Sequence, residues 1–224
     1  MIYSVRAHLF LRSGATSAFA NVPWPAPTTT APGQWVTADP GSKGASVSAC
    51  RDADLPYWVS DELWEIELAE PVTPQATRVS ASRGRLMQQI VRWDTVVANH
   101  FMVDAVLHSR NAVAALLRDA AAETLRPLGT MDALIGALAG ANTADEFCGL
   151  DAKGDGAALR LVCEAANDGR LGFLPLALHE AALAVGMAKA GGVSGDIDAF
   201  ETAVRTERMW QADALTRLVG INAH

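Results

Sequence analysis

Charge is scarce in this chain, and its balance is negative. Asp, Glu, Lys and Arg make up 19% of the 224 residues, the formal net charge is -7 and the pI is about 5.2. A surface of that sign has no general attraction for phosphate backbones or anionic lipid, so neither nucleic acid nor a membrane is an expected partner. Cysteine is scarcer still. Cys50, Cys148 and Cys163 are an odd number with no CxxC or Cys/His ligand spacing, which suits core thiols kept reduced and argues against a metal site. No apolar run approaches the roughly 20 residues of a membrane span. The opening "MIYSVRAHLFLRSG" interrupts its apolar residues with Arg6, His8 and Arg12 and lacks the core and cleavage site of a signal peptide, so a cytoplasmic location is expected. Phosphate-binding glycine loops, nucleophile elbows and kinase signatures are missing, and "GDGAAL" is too short a glycine pattern to stand in for one.

What the chain does have is apolar bulk. Half of its residues are hydrophobic, enough for a sizeable core in one large domain or two small ones. Composition changes near Arg83: most prolines lie before it, four of them in "NVPWPAPTTTAPGQW", and alanine and leucine dominate after it. Prolines interrupt regular elements, but Trp24 and Trp35 make that stretch an ordered loop over a sheet and not a disordered linker. In the first part "SVRAHLFLR", "QWVTA", "ASVSAC", "LWEIELA" and "ATRVSAS" have strand character. Trp64, Ile66 and Leu68 alternate with Glu65 and Glu67 as on a half-buried strand. "DADLPYWV" fits one or two helical turns, with Asp52 or Asp54 as N-cap and Pro56 in the first turn. The second part predicts helices over Trp93 to Ala122, Met131 to Ala139, Ala144 to Cys148, Ala157 to Asn167, Leu174 to Ala190 and Asp196 to Val219. The expected class is therefore α+β: a small β-rich domain over residues 1–82, then an α-helical bundle over 83–224.

Several polar groupings are candidates for chemistry. His100, Asp104 and His108 recur every fourth residue and line up on one side of a helix, a metal-ligand spacing. They oppose the apolar face of Val96, Met102, Val103, Val106 and Val113, and the preferred reading is a solvated polar face. "HEAAL" opens like a zinc-protease motif, but Leu183 stands where the second histidine must be, which excludes that chemistry; His179 reads as a surface or satisfied histidine, and Glu180 as partly buried. In the last helix Glu207, Arg208 and Gln211 fall within the stripe of Ile197, Phe200, Val204, Leu215 and Leu218. Polar groups placed there need partners, in an inter-helix network or around a cavity. Arg83 and Arg85 flank Gly84 at the expected domain junction, where two guanidinium groups suit a carboxylate or phosphate clamp, or a clasp on the acidic segment Asp54 to Glu70.

The run "SACRDADLPYWVSDELWEIEL", Ser48 to Leu68, resembles the core of an uncharacterised bacterial protein family whose members carry a similar run ending in D-E-L-W-E-V-E-L. "FANVPWPAP", "SRGRLMQQIVRW" and "ERMWQADALTRLVGI" resemble further segments of it. The resemblance implies an architecture and candidate positions but no reaction, and a histidine stands in that family's pattern where this chain has Ser48. A looser similarity links the strand, short aromatic helix and acidic strand to ADP-ribosyltransferase-like folds. It implies that Tyr57 stacks on a nicotinamide and that Glu65 or Glu67 stabilises an oxocarbenium-like centre, with NAD as cofactor under that reading alone.

The leading expectation is a binding or interaction protein that takes a small molecule or protein partner at the domain junction and needs no cofactor. An enzyme acting on a nucleotide or small molecule, with Tyr57, Glu65, Glu67 and Arg83 in an inter-domain cleft, is the competing one. So apolar a helical half is also compatible with a homo-oligomer.

Overall fold

The computed structural model describes residues 4–17, 22–38, 46–116, 157–191 and 195–221. The chain is α+β: strands occupy its N-terminal part and helices follow. The strands are β1 (Ser4–Leu11), β2 (Val36–Thr37), β3 (Val47–Ala49), β4 (Glu62–Ala69), β5 (Thr73–Pro74), β6 (Val79–Ala81) and β7 (Arg83–Gln89), with a short 3₁₀ helix, Asp52–Tyr57, between β3 and β4. The helices are α1 (Thr95–Leu116), α2 (Ala157–Leu171), α3 (Leu174–Ala190) and α4 (Ile197–Val219). The expected helices Met131 to Ala139 and Ala144 to Cys148, and with them Cys148, lie outside the described residues.

Two compact units divide the chain, one of Met1–Val97 with Leu215–His224 and the other of Ala98–Ala214. The division falls after Val97, and the segment around Arg83, expected to be the domain junction, is a strand. β7 pairs antiparallel with β4 on one side and with β2 on the other, in a four-stranded sheet of order β1-β4-β7-β2. Gly84 sits in the middle of it for space and not for flexibility. A Cβ there would lie 2.8 Å from Val47 Cγ1 and 3.1 Å from Leu68 Cδ2, closer than packed carbons approach. A smaller antiparallel sheet runs β3-β6-β5.

The alternation in "LWEIEL" puts Trp64, Ile66 and Leu68 into the core of the N-terminal unit with Ala7, Val47 and Leu86. Trp24 packs partly buried on the same cluster, and backbone bonds from Gly33 N to Leu86 O (2.8 Å) and Trp24 N to Ala15 O (2.9 Å) hold the proline-rich loop to the sheet. Much of the acidic segment is used locally. Glu62 accepts from the amides of Gly14 (2.8 Å) and Ala15 (3.0 Å) and from Trp64 Nε1 (3.0 Å), and Asp61 accepts from Ser13 N at 2.9 Å. The 3₁₀ helix differs from the expected capped turn: its N-cap is Arg51, without a side-chain capping bond, and Pro56 lies near its end. Asp54 binds Arg51 instead, and Asp52 is drawn to His8.

In the other unit Met102, Val103, Val106 and Val113 of α1 share a core with Val162, Ala165 and Ala166 of α2 and Ala177, Ala181 and Ala184 of α3. Side chains this small let helices approach closely. Val96, expected on that face, is 61% exposed. Among the described residues no helix is long and apolar enough to cross a membrane.

Candidate functional site

The site starts from a strand of alternating character. In β1, Arg6 and His8 lie two residues apart, so both project from one face of the sheet. The antiparallel register sets Arg6 opposite Glu67 and His8 opposite Glu65 on β4. Arg6 Nη1 donates diagonally to Glu65 Oε1, an arrangement the sheet geometry favours. The other edge of β1 forms an isolated bridge with the chain after β3: His8 N donates to Cys50 O at 3.0 Å and Cys50 N to His8 O at 2.6 Å. That bridge delivers Asp52, two residues on, to the His8 ring, and Nδ1 lies 2.7 Å from Asp52 Oδ1. With Nδ1–H given to the carboxylate, a neutral His8 has only Nε2 left, as an acceptor.

These four side chains line a cleft of about 590 Å³ within the N-terminal unit. Gln88, Gln89 and Arg92 add polar groups, and Ile90, Val91, Val219 and Ile221 supply an apolar wall. Arg92 is placed by a glycine. Gly220 ends α4 in the left-handed conformation, φ 74°, with Ile221 N bonded to Thr216 O at 2.9 Å. The guanidinium occupies the space a side chain at Gly220 would fill, Nη1 being 2.4 Å from the site of a Cβ. Cys50 is not a reactive group here: burial, reinforced by the charge of Asp54, pushes its thiol up to about 12.

Of the residues singled out from sequence, Glu65 lines this cleft. Tyr57 stands 38% exposed at the end of the 3₁₀ helix. Glu67 accepts from Ser4 Oγ (2.6 Å) and Arg85 Nε (2.6 Å). Burial raises its carboxyl, but those two bonds and the charges of Arg85 and Arg6 outweigh it and hold the group below the usual carboxylate range. Arg83 and Arg85 lie over the ring of Trp35 with their guanidinium carbons 4.8 and 4.7 Å from its centroid. Both are therefore engaged within the sheet. The clasp expected between the arginines and the glutamates is formed by Arg85 and Glu67, while Glu65 is held by Arg6.

The helical unit carries a separate buried polar set. Glu207, 3% exposed, meets His108 Nδ1 at 3.0 Å, and the His108 ring lies flat on Trp210 with centroids 3.7 Å apart and planes 8° from parallel. The solvated-face reading of α1 therefore holds for the exposed His100 but not for His108, and Asp104 is half-buried. Burial raises the Asp104 carboxyl. Arg208 Nη1 donates to Gln211 Oε1 at 3.1 Å and Nη2 to His179 Nδ1 at 3.0 Å; Gln211 Nε2 donates to Leu178 O at 3.0 Å. Burial and the charge of Arg208 depress the His179 pKa. Arg110, 2% exposed, was not foreseen, although its spacing from Val106 and Val113 puts it on the apolar face. Between α2 and α3, burial and the charges of Asp168 and Glu164 push Glu180 up to about 7.

The sequence reading missed Arg6, His8, Asp52 and Arg92. Alternation in "SVRAHLFLR" marks Arg6 and His8 as one polar face, but nothing local brings Asp52 or Arg92 to it. Among the described residues no group of three or more His, Cys, Asp or Glu could hold a metal ion. No family model matches the chain, and neither does any curated protein or solved structure.

Proposed function

We infer that this is a bacterial cytoplasmic binding protein whose N-terminal unit takes a small molecule into the His8 cleft. The bacterial assignment rests on the family resemblance of Ser48 to Leu68, and the cytoplasmic one on Cys50 and Cys163, free thiols buried in the core. The observation that carries the binding reading is the His8–Asp52 pair, a histidine fixed in orientation on the wall of a cleft with polar and apolar sides. A concave site with a few convergent polar groups is the usual form of a small-molecule pocket. The net charge of -7 disfavours nucleic acid and membrane as partners. The test is a set of neutral, cationic and anionic fragments titrated into ¹⁵N-labelled protein. Amide shifts gathered at His8, Glu65, Gln88 and Arg92 support the reading, and a full set that leaves those amides unmoved at millimolar concentration defeats it.

An enzymatic role is the second reading, favoured by the same pair. A histidine held by a carboxylate at Nδ1 is a suitable general base at Nε2 for a nucleotide or other small substrate. Calorimetry with NAD tests its ADP-ribosyltransferase-like form, in which Tyr57 and Glu65 contact the cofactor; no heat at millimolar NAD ends that form.

A further inference from the structure

The geometry points to a small monocarboxylic acid, bearing a hydroxyl group and a short apolar chain, as the class of molecule this cleft recognises; the inference rests on the cleft being a ligand site. The charges in the wall set the ligand's charge. Arg6 is paired with Glu65, and Asp52, hydrogen-bonded to a neutral His8 ring, keeps its own charge. Arg92 forms no ion pair among the described residues, so one cation remains for the ligand. A guanidinium presents a planar fork that matches a carboxylate with two parallel hydrogen bonds. A dianion such as phosphate is disfavoured, because its second charge would face Asp52 with no further unpaired cation in the wall.

The histidine sets the second group. With Nδ1–H directed to Asp52, a neutral His8 ring, which lines the cleft, has Nε2 as its acceptor. A carboxylate cannot donate to it, and a hydroxyl can. The remaining wall sets the third part. Ile90, Val91, Val219 and Ile221 line the cleft and Val91 is 75% exposed, so a short hydrocarbon chain laid there removes apolar surface from water on both partners.

The experiment titrates ¹⁵N-labelled full chain with sodium 3-hydroxybutyrate, butyrate, butane-1,3-diol and inorganic phosphate, following the amides of His8, Glu65, Gln88, Arg92 and Gly220. The hydroxy acid should bind about tenfold more tightly than butyrate, the worth of one net hydrogen bond, and more tightly still than the diol or phosphate. Arg92→Gln, at an exposed position, should bring hydroxy acid and diol to equal affinity while leaving the rest of the spectrum in place. Phosphate or the diol binding as well as the hydroxy acid, or Arg92→Gln changing its affinity less than twofold, overturns the assignment. Should the neutral and cationic fragments shift the cleft amides while these acids do not, the ligand class falls and the binding site stands. Silence from both sets removes both.

Discussion

Replacing Glu207 with alanine should destabilise the helical unit by about 3 kcal/mol, a figure built from its surroundings. The carboxylate is 2% exposed and contacts His108 Nδ1 through both oxygens, at 3.0 and 3.1 Å. A hydrogen bond with charged character is worth about 1.5–3 kcal/mol, and the one buried methylene lost with the side chain adds about 0.8 kcal/mol. Stranding a fully buried partner would cost about 3–5 kcal/mol, but the His108 side chain is 37% exposed and can turn to water. That penalty is therefore largely absent, and the total stays near 3. For a unit the size of Ala98–Ala214 this lowers Tm by about 10 °C. Glu207→Gln keeps the volume and an acceptor oxygen and should lose only about 1 kcal/mol. Urea melts followed by tryptophan fluorescence provide the assay, since Trp210 stacks on the histidine and reports directly on it. Combining Glu207→Ala with His108→Ala in a double-mutant cycle should give a coupling of about 1–2 kcal/mol. A Glu207→Ala protein as stable as its parent, or a coupling of zero, would refute the argument, because a buried carboxylate without net benefit contradicts a structural pair.

Two further substitutions test other parts of the packing. Glu180 holds its proton up to about pH 7 when folded, whereas its ordinary value is 4.5; the native state thus binds more protons between those limits, and stability falls as pH rises through the window. Glu180→Gln cannot ionise, so its stability relative to the parent should grow from pH 5 to pH 8 in denaturant melts, and a constant difference would contradict the shared burial with Asp168. Gly84→Ala drives a methyl into Val47, Leu68 and Ile66 and should destabilise the N-terminal unit by about 1–3 kcal/mol. Val47→Ala in the same protein should recover part of that loss, and a neutral Gly84→Ala would mean that the glycine is not there for space.

What could be read from sequence was local. Trp64, Ile66 and Leu68 declare a strand because burial on one face imposes a two-residue period, and Leu174 to Ala190 declares a helix because Pro175 near its start and Gly191 just past its end bound an apolar run. β7 was illegible because "RGRLMQQ" has weak strand propensity and owes its conformation to β4 and β2 on either side. Arg110 could have been found by spacing alone, but a charged residue on an apolar face reads as an exception until its burial is seen.

The cleft depends on pairings that no local pattern encodes. Register decides that Arg6 and His8 stand across from Glu67 and Glu65, and a slip of one residue would turn both basic side chains to the other face. The His8–Cys50 bridge then decides which aspartate of "RDADLP" reaches the histidine: Asp52 does, while Asp54 turns to Arg51 and is 7% exposed. The acidic segment is thus divided by geometry and not by composition. Asp54, Asp61, Glu62 and Glu67 satisfy a guanidinium, a loop or a neighbouring strand, whereas Asp52 and Glu65 face the cleft. Asp52 has a consequence that can be measured. It binds the histidine that lines the cleft, so Asp52→Asn should weaken ligand preference at His8 with little change in stability, because its side chain is 38% exposed and water can replace the lost contact. A large loss of stability with unchanged ligand preference would mean that the pair only fastens β1 to the chain after β3.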